Sequence, residues 1–258
     1  MKVRVIGCHG SVEPSYQTSC YWVNERFFID AGSICSAFTP EQQEKITDIF
    51  LTHPHLDHVK DLCFLIENSA SPERHPLQIH STGEILDDVH KHIFNDVIWP
   101  DFSKVSLQDD LDKPLLRFLP LDQSLKREMG GVTLTAFPVN HPGHAIGYLL
   151  DDGQSQVIFT GDTGPTERVW EIANSASRLK AIFTEISFPN RMDRLARISG
   201  HYTLDQLTAD LVNLKQANIP IYVSHFKPLF MRELLDEFHR RAPPNLRLMH
   251  EEDELIFE

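Results

Sequence analysis

Apolar and polar positions along the chain fall into two alternating rhythms. Short apolar or β-branched runs predict strands over residues 3–7, 20–24, 27–30, 49–52, 77–80, 132–139, 157–160, 182–185 and 221–224. Between them, apolar residues recur at three- and four-residue spacing and predict helices over 56–68, 83–94, 167–174, 204–216 and 229–240. Strands that alternate with helices in this way predict an α/β layered fold. Thr203-Leu204-Asp205-Gln206 sets a hydroxyl three residues before an amide, the pattern of a capping box. No repeat, low-complexity stretch or linker divides the pattern. The 258 residues therefore read as one domain, with an inserted subregion at about 82–129 rich in aromatic and acidic residues.

Composition narrows the class. An apolar fraction of 41% and a charged fraction of 24% are those of an ordinary globular protein. No run of 18 apolar residues exists, so no membrane span is expected. The chain opens on a strand-like Val3-Arg4-Val5-Ile6-Gly7 without the features of a secretory signal, and a cytoplasmic location is expected. Cys8, Cys20, Cys35 and Cys63 form no Cys-x-x-Cys pair, which predicts free thiols in a reducing compartment. A net charge of −13 argues against a large nucleic-acid partner, but a small anion held directly by metal ions is compatible with it.

The chemistry concentrates in Thr52-His53-Pro54-His55-Leu56-Asp57-His58, which follows the apolar run Asp48-Ile49-Phe50-Leu51. Residues two apart in an extended segment point the same way, so His53 and His55 can share one cation. Asp57 and His58 come where a helix begins and can be aimed at a neighbouring point. Three histidines and a carboxylate packed this closely are costly to hold together without a cation, and two adjacent metals are the natural reading. Three more candidate segments follow strands: Asn140-His141-Pro142-Gly143-His144, Gly161-Asp162-Thr163-Gly164 and Ser224-His225-Phe226-Lys227. Ligands delivered from strand ends converge on one rim of a sheet.

In this order the ligands resemble those of the metallo-β-lactamase superfamily, and the likeness includes Phe28-Ile29-Asp30-Ala31-Gly32, similar to that family's strand ending in Asp-x-Gly. The resemblance implies a four-layer αβ/βα sandwich with a binuclear site. It also implies His53, His55 and His141 on one metal, Asp57, His58 and His225 on the other, and Asp162 bridging. A carboxylate has two oxygens for two cations, whereas an imidazole offers one lone pair, which agrees with that division. Zinc suits such ligands, with iron or manganese as alternatives.

Within the superfamily, several segments in order are similar to class II cyclic-nucleotide phosphodiesterases. They are His53 to Leu62 with Asn68-Ser69-Ala70, His92 to Phe102, Glu185 to Asn190, Gly200-His201-Tyr202-Thr203, and Ser224 to Pro228; Asp61 and Cys63 depart from the pattern. The implied reaction is hydrolysis of a 3′,5′-cyclic nucleotide, cAMP or cGMP, to the 5′-nucleotide, with Asp57, Asp162, His144 and His201 as catalytic candidates. His144, His201 and Lys227 are candidates to contact the substrate, and Phe94 and Trp99 could stack on its base. Aromatics of the 82–129 stretch could equally build its own core or the interface of a homodimer. Glu185 is a candidate to orient a ligand histidine. Competing readings are another hydrolase of the fold (phosphodiester, thioester or tRNA-processing), an iron-dependent oxidoreductase, and a non-catalytic metal-binding protein.

Overall fold

The computed structural model describes residues 1–71, 75–106, 113–216 and 218–258. Fourteen strands are assigned among them: β1 (Lys2–Gly7), β2 (Cys20–Val23), β3 (Phe27–Ile29), β4 (Asp48–Phe50), β5 (Leu77–Ser81), β6 (Leu116–Pro120), β7 (Lys126–Met129), β8 (Val132–Pro138), β9 (Ile146–Asp151), β10 (Gln156–Phe159), β11 (Leu179–Glu185), β12 (Ile221–Ser224), β13 (Leu246–Leu248) and β14 (Glu254–Ile256). They form two seven-stranded sheets, ordered β14-β1-β2-β3-β4-β5-β6 and β13-β12-β11-β10-β9-β8-β7. Each sheet is antiparallel at one side and parallel at the other, the parallel strands being β3 to β6 in the first and β10 to β13 in the second.

Alternation along the central strands decides the layering. On β10, β11 and β12, Phe159, Phe183 and Tyr222 join the core shared with the first sheet, while Ile158, Ile182, Ile221 and Val223 join a second core under the helices Glu167–Ser175, Leu204–Asp210 and Met231–Arg241. Parallel strands buried on both faces carry such near-continuous apolar runs. Rings meet across the sheets, with Tyr21 5.3 Å from Phe159 and Phe50 6.0 Å from Tyr148. The expected four-layer sandwich is the fold observed.

Local differences from the expected elements have identifiable causes. The single helix over 56–68 is two pieces, Leu56–Val59 and Asp61–Asn68. The carbonyl of His58 accepts from Ala31 N–H at 2.7 Å and Asp61 N–H donates to the Ala31 carbonyl at 3.1 Å, so the segment that follows β3 intrudes on the helical ladder at Lys60. Asp61, a departure from the family pattern, is buried and accepts the Cys35 amide at 2.7 Å. The helix over 204–216 ends at Asp210 with one further 3-10 turn, Leu211–Asn213, because the Asn174 side chain takes the Asn213 carbonyl and the Lys215 amide. Its start is as expected, with Thr203 and Gln206 exchanging cap hydrogen bonds. Residues 82–129 carry the helix Gly83–His92 together with β6 and β7, one edge strand of each sheet; residues 107–112 of that stretch lie outside the described residues. All four cysteines are free. No helix among the described residues is long and apolar enough to cross a membrane.

Candidate metal centre

Both sheets deliver side chains to one rim. His53, His55, Asp57 and His58 follow β4; His141 follows β8, Asp162 follows β10 and His225 follows β12. The structure gathers them into two groups whose ligand atoms lie within 4.8 Å of one another: His53, His55, His141 and Asp162, and Asp57, His58, Asp162 and His225. Asp162 belongs to both. One of its oxygens is 3.4 Å from His58 Nε2, and the other is 3.6 Å from His53 Nε2 and 3.2 Å from His225 Nε2. His55 Nδ1 is 3.2 Å from His141 Nε2, and Asp57 is 3.1 Å from His225 Nε2.

What stands behind each ring sets its tautomer. Thr52 Oγ1 donates to Asp30, so it accepts from His53 Nδ1 at 3.0 Å. His58 Nδ1 donates to Asp30 at 2.6 Å, and His141 Nδ1 to the Gly200 carbonyl at 2.9 Å. Ser187 Oγ donates to Glu185 and accepts from His225 Nδ1 at 2.8 Å. Four imidazoles thus present Nε2 to the same small space, the arrangement by which outer hydrogen bonds orient metal ligands. The Nε2 atoms of His53 and His58 are buried with no hydrogen-bond partner. A buried nitrogen without a partner is costly, and a cation is the partner that this donor set fits.

Backbone geometry holds the ring. Asp30 has φ 60° and His225 φ 66°, left-handed conformations that are uncommon outside glycine and concentrate at functional sites. A Cβ on Gly10 would come within 2.7 Å of the His225 ring, so the chain can pass there only without a side chain.

Electrostatics divides the centre. Burial pushes His53, His55 and His141 below the ordinary histidine range. Burial opposes the proton on His58 too, but the Asp162 and Asp30 carboxylates overcome it and hold this histidine well above its usual range. Asp162 and Asp57 stay well below the carboxylate range because neighbouring histidines, His225 foremost, outweigh their burial.

The other expected site residues are placed as follows. His201 lies at the centre, its Nδ1 2.6 Å from Glu185 and 4.0 Å from Asp162, and Glu185 overcomes burial to raise its pKa. Glu185 thus holds His201 directly and reaches His225 through Ser187. Lys227 sits with Nζ 5.5 Å from the Phe188 ring and 3.4 Å from the Gly10 carbonyl. His144 is exposed, outside both groups, and paired with Asp88 at 2.8 Å. Trp99 packs edge-on against Phe64 at 5.3 Å. Phe94 must be corrected: it is fully buried against Phe118 and has no face open to a base. Asp30 was flagged only as part of a strand ending, and Thr52, Ser187 and Gly200 gave no signal of their own, since a hydroxyl or carbonyl behind a histidine is visible only once the fold is closed.

A β-lactamase superfamily domain model matches residues 26–225, and the chain belongs to that superfamily, whose metallo-β-lactamase fold it shares. Among curated relatives, it is 26% identical over 210 residues to the "Probable 3′,5′-cyclic-nucleotide phosphodiesterase" of Yersinia pestis, covering 74% of this chain and 60% of that one. It is 38% identical over 202 residues to 3′,5′-cyclic-nucleotide phosphodiesterase 1 of Saccharomyces cerevisiae, covering 68% and 53%. The chain therefore spans only part of these relatives. Among solved structures, unliganded yeast PDE1 superposes with a TM-score of 0.76 over 98% of both chains at 18% identity. The Bacillus subtilis metallo-β-lactamase fold protein YhfI gives 0.74 over 99% of both, also at 18%. At such identity the superpositions bear on the fold alone.

Proposed function

We propose that this chain is a metal-dependent phosphodiesterase that hydrolyses a 3′,5′-cyclic nucleotide, cAMP or cGMP, to the 5′-nucleotide. The observation that carries the proposal is the set of imidazole nitrogens and carboxylate oxygens turned inward around Asp162, with two buried nitrogens unpartnered. The curated relatives, named as cyclic-nucleotide phosphodiesterases, favour this substrate over the thioester or tRNA alternatives.

His53, His55, His141 and Asp162 would hold one divalent cation, and Asp57, His58, His225 and Asp162 a second, with zinc the leading candidate. Two such ions would supply Lewis-acid charge to a phosphate and lower the pKa of a water toward neutrality. The side chains do the rest. Asp162 fixes the spacing of the two groups, and Asp57 and His225 close the second. Glu185 keeps a proton on His201, which makes His201 the proposed proton donor to the departing 3′-oxygen. His144, tied to Asp88 at the surface, is assigned to substrate contact instead. Lys227 supplies positive charge beside His201 and is assigned to a phosphate oxygen.

The test is turnover of cAMP and cGMP by metal-quantified protein, with the product identified and compared against an aryl phosphodiester and a thioester. Release of 5′-AMP or 5′-GMP is expected. Cleavage of the thioester alone would replace this reading with the broader hydrolase one.

A further inference from the structure

Ser224 and Phe226, the neighbours of His225 in the chain, help line a cavity of about 290 Å³. Its lining includes the apolar Phe226 and Met231 together with Cys8, His9, Tyr16 and Glu251. Cys8 Sγ is 3.8 Å from His9 Nδ1, which is 2.9 Å from Glu251 Oε1, and the three ligand atoms lie within 4.8 Å of one another. None of them belongs to the centre around Asp162.

We infer that Cys8, His9 and Glu251 form a separate site for a thiophilic divalent cation such as zinc. One thiolate, one imidazole and one carboxylate are a donor set that zinc accepts, with the cavity supplying water for the fourth position. Zinc bonds to sulfur and nitrogen together reach about 4.4 Å, so one ion can span the Cys8 to His9 separation. Burial holds the Cys8 thiol protonated in the cation-free chain. Coordination releases that proton to solvent, as a bound metal does to a ligating thiol. The site is not isolated from the first, because the Cys8 carbonyl accepts the His225 amide N–H at 2.6 Å. A cation on Cys8 therefore stiffens the backbone that carries His225.

Cobalt substitution separates the two sites, because only this one contains sulfur. Titration of the full chain with Co²⁺ is expected to show one equivalent beyond those bound by Cys8→Ser, together with a near-ultraviolet thiolate-to-cobalt charge-transfer band that Cys8→Ser lacks. The visible bands of the histidine and aspartate centre should be the same in both proteins. Glu251→Gln, which keeps the thiol, should weaken the extra equivalent by tenfold or more. The inference is overturned by an absent charge-transfer band in the unaltered chain, or by a band that survives in Cys8→Ser. It is equally overturned if Glu251→Gln lowers Tm but leaves cobalt binding unchanged, since His9 and Glu251 would then be an ion pair only. None of these readouts depends on nucleotide turnover.

Discussion

The two donor groups share Asp162 but are backed by different chemistry. Behind His53 stands a threonine hydroxyl that itself donates to Asp30, and behind His141 a backbone carbonyl, so neither ring meets a carboxylate directly. Behind His58 the Asp30 carboxylate stands directly, and behind His225 Glu185 is reached through Ser187 as Asp30 is from His53 through Thr52, so the direct carboxylate on His58 is what separates the groups. A carboxylate accepting the Nδ1 proton makes the opposite nitrogen a stronger donor. The Asp57, His58 and His225 group should therefore hold its cation more tightly, and the other group should be the first to empty.

The largest expected effect ignores that asymmetry. Asp162→Ala removes the oxygens common to both groups, so metal content and turnover should both fall further than the ~10–100-fold typical of losing an outer hydrogen-bond partner. Full activity in this variant would end the bridging assignment. Asp30→Asn comes next and breaks the asymmetry. Asparagine tolerates the left-handed backbone at this position but cannot carry the charge, so affinity in the His58 group should drop by about 10–100-fold. Competition with a chelator should then show the two cations leaving together rather than in sequence. Gly200→Ala probes the neutral side. Its φ of 65° and a Cβ position 2.6 Å from Pro142 would displace the carbonyl that holds His141. A stability loss of at least about 1–2 kcal/mol should accompany selective loss of the more weakly held cation, readable by calorimetry.

The smallest effect is a pH slope in metal-free protein. His58 has a folded pKa above its unfolded value, so its stabilisation is fully present below the ordinary histidine pKa and is lost as pH rises through the folded one. His53, His55 and His141, shifted the other way by burial, oppose this below the ordinary range. The pH dependence of the Tm difference between the unaltered chain and Asp30→Asn reports the share of this effect that Asp30 carries, the loss of its bonds to Thr52 adding a pH-independent offset. The difference should be widest below the ordinary histidine pKa and narrow as pH rises through the folded one; a difference that grows with pH would mean His58 is not the titrating group.

The side chains of the candidate centre were legible in the sequence because each follows a run of apolar residues, and four sit within six positions. Proximity in the chain stood in for proximity in space. The groups behind them were not legible for the opposite reason. Ser187 reaches His225 across 38 residues and Gly200 reaches His141 across 59, contacts that only sheet closure creates. Phe94 was misplaced because an aromatic ring carries no local sign of whether it faces a ligand or a core. Strand β9, with Gly147 where a Cβ would meet the Phe137 ring at 2.7 Å, was missed because its short apolar run lacks β-branched residues after Ile146.

The rim where two sheets contribute ligands has a consequence for the unfolded chain as well as the folded one. Asp57 and His225 stand 168 residues apart in sequence, and a cation shared by them would act as a reversible cross-link closing a very long loop. Closure entropy grows with loop length, although only logarithmically. A chelator should therefore shorten the lifetime of the folded state by loosening this staple, even where every hydrogen bond in the native fold stays in place.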